Sequence, residues 1–216
     1  GHDKLFAPQS KEDSDIFNRF HLLGLEFIQT WRGLVYHMTS RGSRFNPSSG
    51  GAPGKDSPEW IYTTTKNMRN FIRKWGTMVQ HDQYMKPVVS PKYDIGFVAY
   101  NCTVNLLKEL EPFCDKIYLD LQDSDCMSEY IREEQPNTTY NLGERIKLYG
   151  NSKISELHDI CVEFDCRDLT QENFQVITNL ANILKDSGDI GEFELEVFKF
   201  YISSLDSYEK DLILVK

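Results

Sequence analysis

The sequence predicts an α/β fold with a mostly parallel sheet, and three apolar runs carry that prediction. Asp94 to Tyr100, Lys116 to Leu121 and Ile160 to Phe164 are short and rich in Ile, Val, Leu and aromatic residues, as is typical of buried strands. Between the first two runs, Thr103 to Phe113 has apolar residues at a helical spacing and is closed by Pro112. A strand, a helix and a strand joined by short links form a parallel crossover. We therefore expect the three strands to be neighbours in one sheet.

Polar residues follow the predicted strands. Ligands of parallel sheets lie beyond the carboxyl ends of the strands. At the ends of the first two strands the sequence places Tyr100, Asn101, Asp120, Asp123 and Asp125. These residues are candidates for a binding site, although polar side chains also simply close strands.

Two helices are predicted before this central unit. The first begins near three acidic residues, Glu12, Asp13 and Asp15, which suit the positive end of a helix dipole, and it stops near Gly24. A short apolar run at residues 34–36 then ends at His37. The second helix starts at Ser57-Pro58-Glu59 and runs to about Trp75. We expect its basic face to be solvated; this face consists of Lys66, Arg69, Arg73 and Lys74.

The second half of the chain has further predicted elements. A short helix is expected near Met127 to Glu133 and a longer one over Thr170 to Lys185. The alternation of Phe193, Leu195 and Val197 predicts a strand, and Leu212 to Val215 is predicted as another. Residues 81–91 are predicted to link a segment of residues 1–88 to a segment of residues 92–216.

Composition excludes several classes of protein. The chain has 216 residues with 40% hydrophobic content, enough for a core in one or two domains. A formal net charge of −9 disfavours a general nucleic-acid binder, which needs basic surface for the phosphates. The five cysteines lack metal-site spacing, which predicts reduced thiols and a cytoplasmic location. No apolar run reaches the roughly 18 residues expected of a membrane span.

The segment from Tyr93 to Phe174 resembles the nucleotide-sugar half of family-2 glycosyltransferases, which have the GT-A fold. Four features match in order: a strand ending in Tyr100-Asn101, a strand followed by acids at Asp120 to Asp125, an Asn141-x-Gly143 with a later Asn151, and a strand ending in acids at Asp165 to Asp168. The first half of the chain is similar to the acceptor-side segment of such enzymes. Its matching residues are Lys4-Leu5-Phe6, Glu12-Asp13-x-Asp15, Arg19, Gly24, His37 and Asn67 to Gly76.

The resemblance implies a Rossmann-like three-layer sandwich with helices on both faces of the sheet. It also implies an inverting glycosyltransferase that moves a sugar from a nucleotide-sugar donor, such as a uridine diphosphate sugar, to an acceptor hydroxyl. Asp13 would be the catalytic base with Glu12 beside it. Mn²⁺ or Mg²⁺ would be held by Asp165, Asp168 and His37. The nucleotide sugar would contact Tyr100, Asn101, Asp120, Asp125 and Asn141.

Two departures from the family pattern leave alternatives open. The metal motif of the family is Asp-x-Asp, whereas here Asp165 is followed by Cys166, Arg167 and Asp168. The acceptor-side segment also precedes the nucleotide-side segment, which indicates either a permuted domain or two truncated domains joined end to end. One alternative function is a degenerate domain that acts as a protein interaction or structural module. Another is a metal nuclease that uses Asp94, Asp120 and Gln122, although it lacks the usual lysine.

Overall fold

The computed structural model describes residues 1–28, 30–33, 43–150, 153 and 156–214 of the chain. The helices are α1 (Glu12–Leu22), α2 (Pro58–Trp75), α3 (Val104–Leu110), α4 (Ser124–Glu134), α5 (Leu142–Arg145), α6 (Phe174–Thr178) and α7 (Leu180–Ser187). The strands are β1 (Ile95–Tyr100), β2 (Lys116–Leu119), β3 (Ile146–Leu148), β4 (Ile160–Asp165), β5 (Gly191–Leu195) and β6 (Phe198–Ile202). Short 3₁₀ helices connect several of these elements, among them Glu111–Phe113, Leu121–Asp123, Cys166–Asp168 and Glu209–Ile213.

The strands form one six-stranded sheet in the order β3-β2-β1-β4-β6-β5. β1 pairs in parallel with β2 and with β4, and β2 pairs in parallel with β3. β6 is antiparallel to β4 and to β5, so a hairpin closes one side of the sheet. The predicted α/β class and the predicted parallel arrangement of β1, β2 and β4 are confirmed.

The two faces of the sheet differ in chemistry. On one face, Phe97 lies opposite Ile117 and Val162, and all three are fully buried. Buried residues of α2 to α7 belong to the same hydrophobic cluster as this face. The opposite face carries the half-buried Tyr100 and Tyr201, whose hydroxyls donate to the Glu163 carboxylate over 3.0 and 3.1 Å. The sequence predicts helices on both faces, whereas the helical core contacts in the described part of the chain are with the apolar face.

Helix α2 begins and ends as its sequence predicts. Ser57 caps its first turn by accepting a hydrogen bond from the Trp60 amide, and Pro58 takes the first helical position. The helix stops at Gly76, which has a left-handed φ of 76°. A β-carbon at Gly76 would lie 3.1 Å from the Lys92 side chain, so the end of α2 packs closely against the residues that lead into β1.

The predicted solvation of the basic face of α2 is wrong. The side chain of Arg73 is fully buried and that of Lys74 is 6% exposed. Arg73 pairs with Glu111 and with Glu134, and Arg69 pairs with Glu134 at 2.6 Å. These carboxylates lie after α3 and at the end of α4, so α2 fastens the segment of residues 1–88 to the sheet.

Other elements differ from their predictions in detail. The helix predicted over Thr170 to Lys185 is divided into α6 and α7 at Asn179. β3 was not predicted, and the strand predicted at residues 193–197 is one arm of a hairpin whose other arm, β6, was also missed. Residues 209–213 form a 3₁₀ helix where a strand was predicted from Leu212 onward. The apolar run at 34–36 and the end of that predicted last strand lie outside the described residues. Helices with the length and apolarity for a bilayer crossing are absent from the described ranges.

Candidate functional site at the carboxyl edge of the sheet

The candidate site lies where β1, β2 and β4 end, which we call the carboxyl edge; it comprises Tyr100, Asn101, Asp120, Gln122, Asp165 and Arg167. The chain leaves β1 towards β2 on one side, whereas β4 lies on the other side of β1. Such a reversal of strand order opens a crevice between the two strand ends, and ligands of open α/β sheets bind there. Tyr100 of β1 and Asp165 of β4 are direct partners in the register of these strands.

A row of hydrogen bonds crosses the ends of the three strands. Asn101 has a left-handed φ of 53°, a conformation that asparagine tolerates better than most residues. Its side-chain amide donates to Asp165 Oδ2 over 2.9 Å. Gln122 donates from Nε2 to Asp120 Oδ2 at 3.2 Å and, more weakly, to Asn101 Oδ1 at 3.4 Å. The row Asp120, Gln122, Asn101 and Asp165 therefore runs from the end of β2 across β1 to β4.

Arg167 neutralises Asp165. Its guanidinium reaches both carboxylate oxygens, with Nη2–Oδ2 at 2.5 Å and Nε–Oδ1 at 3.0 Å, and its backbone amide donates to Oδ1. The hydrogen bonds from the Arg167 side chain and amide lower the pKa of Asp165 to about 2. The Arg167 side chain is 72% exposed, so this cation is accessible from solvent.

Three thiols lie beneath the carboxyl edge. Interaction with the neighbouring Cys166 thiol, together with burial, raises the pKa of Cys102 far above its ordinary value. Burial raises the pKa of Cys126, on α4, to about 11. The Cys102 amide donates to Asp123 Oδ2 at 3.1 Å, which joins β1 to the start of α4. Cys102 and Cys126 are thus protonated packing groups that support the edge.

The remaining residues predicted at this edge have varied positions. Tyr100 is half-buried, and its hydroxyl is directed along the polar face of the sheet to Glu163. Asp125 is exposed in the first turn of α4. Asp168 is exposed at the end of the 3₁₀ helix after β4, and its carbonyl accepts from Asn173 Nδ2 at 2.9 Å.

The structure does not bring the acceptor-side acids or Asn141 to this site. Asp15, two residues after Asp13 on α1, forms an ion pair with Lys74 at 2.6 Å and accepts a hydrogen bond from Trp75 Nε1 at 3.1 Å. Both partners lie at the end of α2 that packs beside Lys92. Lys92 precedes β1, so the first turn of α1 belongs to the opposite, amino edge of the sheet.

Asn141 also lies on the amino side, because it precedes α5 and the last residue of α5 directly precedes β3. The two edges are separated by the length of the strands, about 20 Å for the six residues of β1. The prediction that Asp13 and Asp165 share one site is therefore wrong, and Glu12 is separated from the site with Asp13.

The described residues do not fit the predicted metal site. Both oxygens of Asp165 already accept hydrogen bonds, and a divalent cation would have to displace Arg167. Groups of three or more His, Cys, Asp or Glu side chains placed to hold a metal ion are absent from the described part of the chain. His37, the third predicted ligand, lies outside the described residues.

Arg167 is the residue of this edge that sequence reasoning undervalued. In the sequence it appears only as an interruption of the Asp-x-Asp motif. The signal for the ion pair is the spacing: Arg167 follows the strand-terminal Asp165 by two residues, so a turn can bring its side chain back to the carboxylate.

Comparisons of the chain with protein-family models, with curated proteins and with solved structures found no match. Function must therefore be inferred from the geometry of the site itself.

Proposed function

We propose that the chain is a transferase of the glycosyltransferase type that binds a nucleotide-sugar donor at the carboxyl edge. The proposal is carried by the connected row of Asp120, Gln122, Asn101 and Asp165 across three neighbouring strand ends. Asp120 follows β2 about twenty residues after the end of β1, which is where sheets of this kind place the acid that binds ribose hydroxyls. The GT-A form of the fold, suggested by the sequence resemblance, is part of this proposal.

The nucleoside and the diphosphate call for different partners. Asp120 accepts from the ribose hydroxyls, and Gln122 beside it supplies an amide donor. The helix after β1 has seven residues, and Asn101-Cys102-Thr103 replaces a glycine-rich phosphate loop, so the backbone here offers little to a diphosphate. Arg167 supplies the positive charge instead, because a guanidinium pairs with phosphate oxygens in the same bidentate way as with a carboxylate.

In this proposal donor binding exchanges the partners of Arg167. When Arg167 turns to the diphosphate, Asp165 loses the contact that holds its pKa at about 2, and its pKa rises towards the ordinary range. Asp165 is then a stronger base for the acceptor hydroxyl. The acceptor oxygen attacks the anomeric carbon, the bond from that carbon to the diphosphate oxygen breaks, and the hydroxyl proton passes to Asp165. Arg167 stabilises the charge on the departing nucleoside diphosphate, and no step passes through a metal.

A protein interaction or structural module is the second candidate. The specific observation in its favour is the tight ion pair of Asp165 with Arg167, which satisfies both side chains without any ligand. The separation of Asp13 from Asp165 also removes the base that the family resemblance implies. Such a module would keep the fold and bind no nucleotide.

Calorimetric titration with uridine and with uridine diphosphate separates these candidates. We expect Asp120→Asn to weaken both ligands about tenfold, because each presents the ribose, and Arg167→Met to weaken uridine diphosphate alone. Asp13→Asn is the matched control, because it makes the same chemical change on an exposed acid at the other edge. If wild-type protein binds neither uridine, adenosine nor guanosine diphosphate, with or without Mn²⁺, the interaction module is the better account.

A further inference from the structure

A cavity of about 470 Å³ lies at the amino edge of the sheet, where the parallel strands begin. Lys92 precedes β1, Asp115 directly precedes β2 and Arg145 directly precedes β3, and all three line it. The other walls come from the N-terminal residues, the end of α2 and the C-terminal 3₁₀ helix; they include Asp3, Leu5, Lys74, Tyr208, Leu212 and Leu214. The cavity is large enough for a small organic molecule. It is separate from the carboxyl edge and independent of the function proposed there.

Three of the four cations in the cavity wall have close carboxylate partners. Arg73 and Arg145 both pair with Glu111, at 2.7 and 2.5 Å. Lys74 pairs with Asp15 at 2.6 Å and with Asp3 at 2.8 Å. Their charges are balanced within the fold, so these side chains do not themselves indicate a ligand.

Lys92 is the exception. It is 2% exposed, and its ammonium nitrogen is buried without a hydrogen-bond partner among the described residues. The closest carboxylate oxygen in an ion pair with it, Asp115 Oδ1, is 3.6 Å away, beyond hydrogen-bond length. Asp115 is already engaged, because Oδ1 accepts from the Tyr208 hydroxyl at 2.5 Å and Oδ2 accepts from the Ile95 amide at 3.1 Å. A buried ammonium with unused donors is costly, and an acceptor oxygen brought by a ligand would relieve that cost.

We propose that the cavity at the amino edge binds a small organic monocarboxylate whose carboxylate oxygen accepts from Lys92. The flexible lysine stem lets the covered ammonium turn towards the cavity. The aliphatic side chains of Leu5, Leu212 and Leu214 receive the apolar part of the molecule. A monoanion is favoured over a phosphate dianion because Lys92 offers a single positive charge, whereas Asp211, which also lines the cavity, repels additional negative charge.

An NMR titration of ¹⁵N-labelled protein with phenylacetate and with the neutral phenylacetamide tests the charge requirement. We expect phenylacetate to shift the amide signals of Leu5, Lys92 and Leu212, and phenylacetamide to bind about tenfold more weakly. Lys92→Met keeps the aliphatic stem but removes the donors, so this variant should bind phenylacetate about as weakly as wild type binds phenylacetamide. Lys199→Met, at an exposed lysine of β6, is the matched control and should bind like wild type.

A second variant keeps the test decisive if Lys92→Met fails to fold. Asp211 is exposed, so Asp211→Asn should fold normally; it removes one repelling charge and should tighten phenylacetate binding about two- to fivefold. The proposal is overturned if phenylacetate, octanoate and indole-3-acetate cause no shifts at these amides up to about 10 mM. Equal binding of phenylacetate and phenylacetamide would also overturn it. Tighter binding of phenyl phosphate would overturn the choice of a monocarboxylate.

Discussion

The sharpest stability prediction concerns Glu111, a fully buried carboxylate between two arginines. Oε2 accepts from Arg73 Nε at 2.8 Å and from the Tyr130 hydroxyl at 3.0 Å, and Oε1 accepts from Arg145 Nε at 2.5 Å. Burial alone would raise the pKa of Glu111, but Arg145 and Arg73 together lower it below its ordinary value of 4.5. Glu111 is therefore an ionised carboxylate that compensates two buried cations.

The substitution Glu111→Gln keeps the size of the side chain and removes its charge. It leaves an amide donor that faces a guanidinium, and it removes one carboxylate partner from each of the two buried arginines. Arg73 still has Glu134 at 2.9 Å, and Arg145 still donates to the carbonyls of residues 111 and 114, so neither cation is wholly stranded. Removing one partner of a buried ion pair costs about 3–5 kcal/mol, and the retained contacts favour the lower end of that range. At about 2–4 °C per kcal/mol for a chain of this size, the melting temperature should fall by roughly 6–20 °C.

Urea denaturation followed by circular dichroism measures the change in the free energy of unfolding, and a thermal melt measures the shift in melting temperature. Glu129→Gln is the matched control, because this side chain is 51% exposed and its pair with Arg132 is 3.9 Å long, so its effect should stay within about 0.5 kcal/mol. A pKa below 4.5 in the fold means that the stabilisation by Glu111 is present above about pH 4.5 and is lost as the pH falls through the folded pKa. Wild type should consequently lose more stability in acid than Glu111→Gln does. A cost below about 1 kcal/mol at pH 7 would refute the reasoning.

Three further predictions concern the site, the thiols and the capping of α2. Arg167→Met should raise the pKa of Asp165 from about 2 towards 3.8, as followed by ¹³C NMR of the carboxylate; an unchanged pKa would mean that Arg167 does not neutralise it. In native protein at pH 8 the thiols should react slowly with Ellman's reagent and become fully reactive after unfolding, since burial raises the pKa of Cys161 to about 11; fast native reaction would contradict this burial. Ser57→Ala should cost about 1 kcal/mol in urea denaturation, because it removes the cap of the Trp60 amide, and Ser128→Ala, at an exposed serine, is its control.

The sequence predicted those parts of the fold that local pattern determines. The strands β1, β2 and β4 are apolar runs, and α2 has a serine cap, a proline at its first position and a terminal glycine, so each could be recognised from a few consecutive residues. The three-residue β3 is too short to show a period. β6 alternates buried Phe198, Phe200 and Ile202 with exposed or half-buried residues, a strand signal that was present in the sequence and overlooked.

Pairings between distant residues explain what the sequence did not predict. Arg73 looks like part of a solvated helix face until Glu111 and Glu134, 38 and 61 residues away, are placed beside it. The candidate site shows the same limit. Asp120 and Asp165 could be proposed because strand ends are local features, whereas the role of Arg167 depends on a side chain that folds back onto the preceding strand end.

The N-terminal segment is held at the amino edge of the sheet. Arg69 and Arg73 of α2 pair with carboxylates of the second half, and the end of α2 packs beside Lys92, so the described part of residues 1–88 lies against the amino edge. Because the carboxyl edge is about one strand length away, an acid in the first turn of α1 cannot act there. Among the described residues, the side chains available for the proposed transfer are those that follow β1, β2 and β4. In the described part of the chain, this segment stabilises the sheet through its ion pairs and lines the cavity around Lys92, at the edge opposite the proposed donor site.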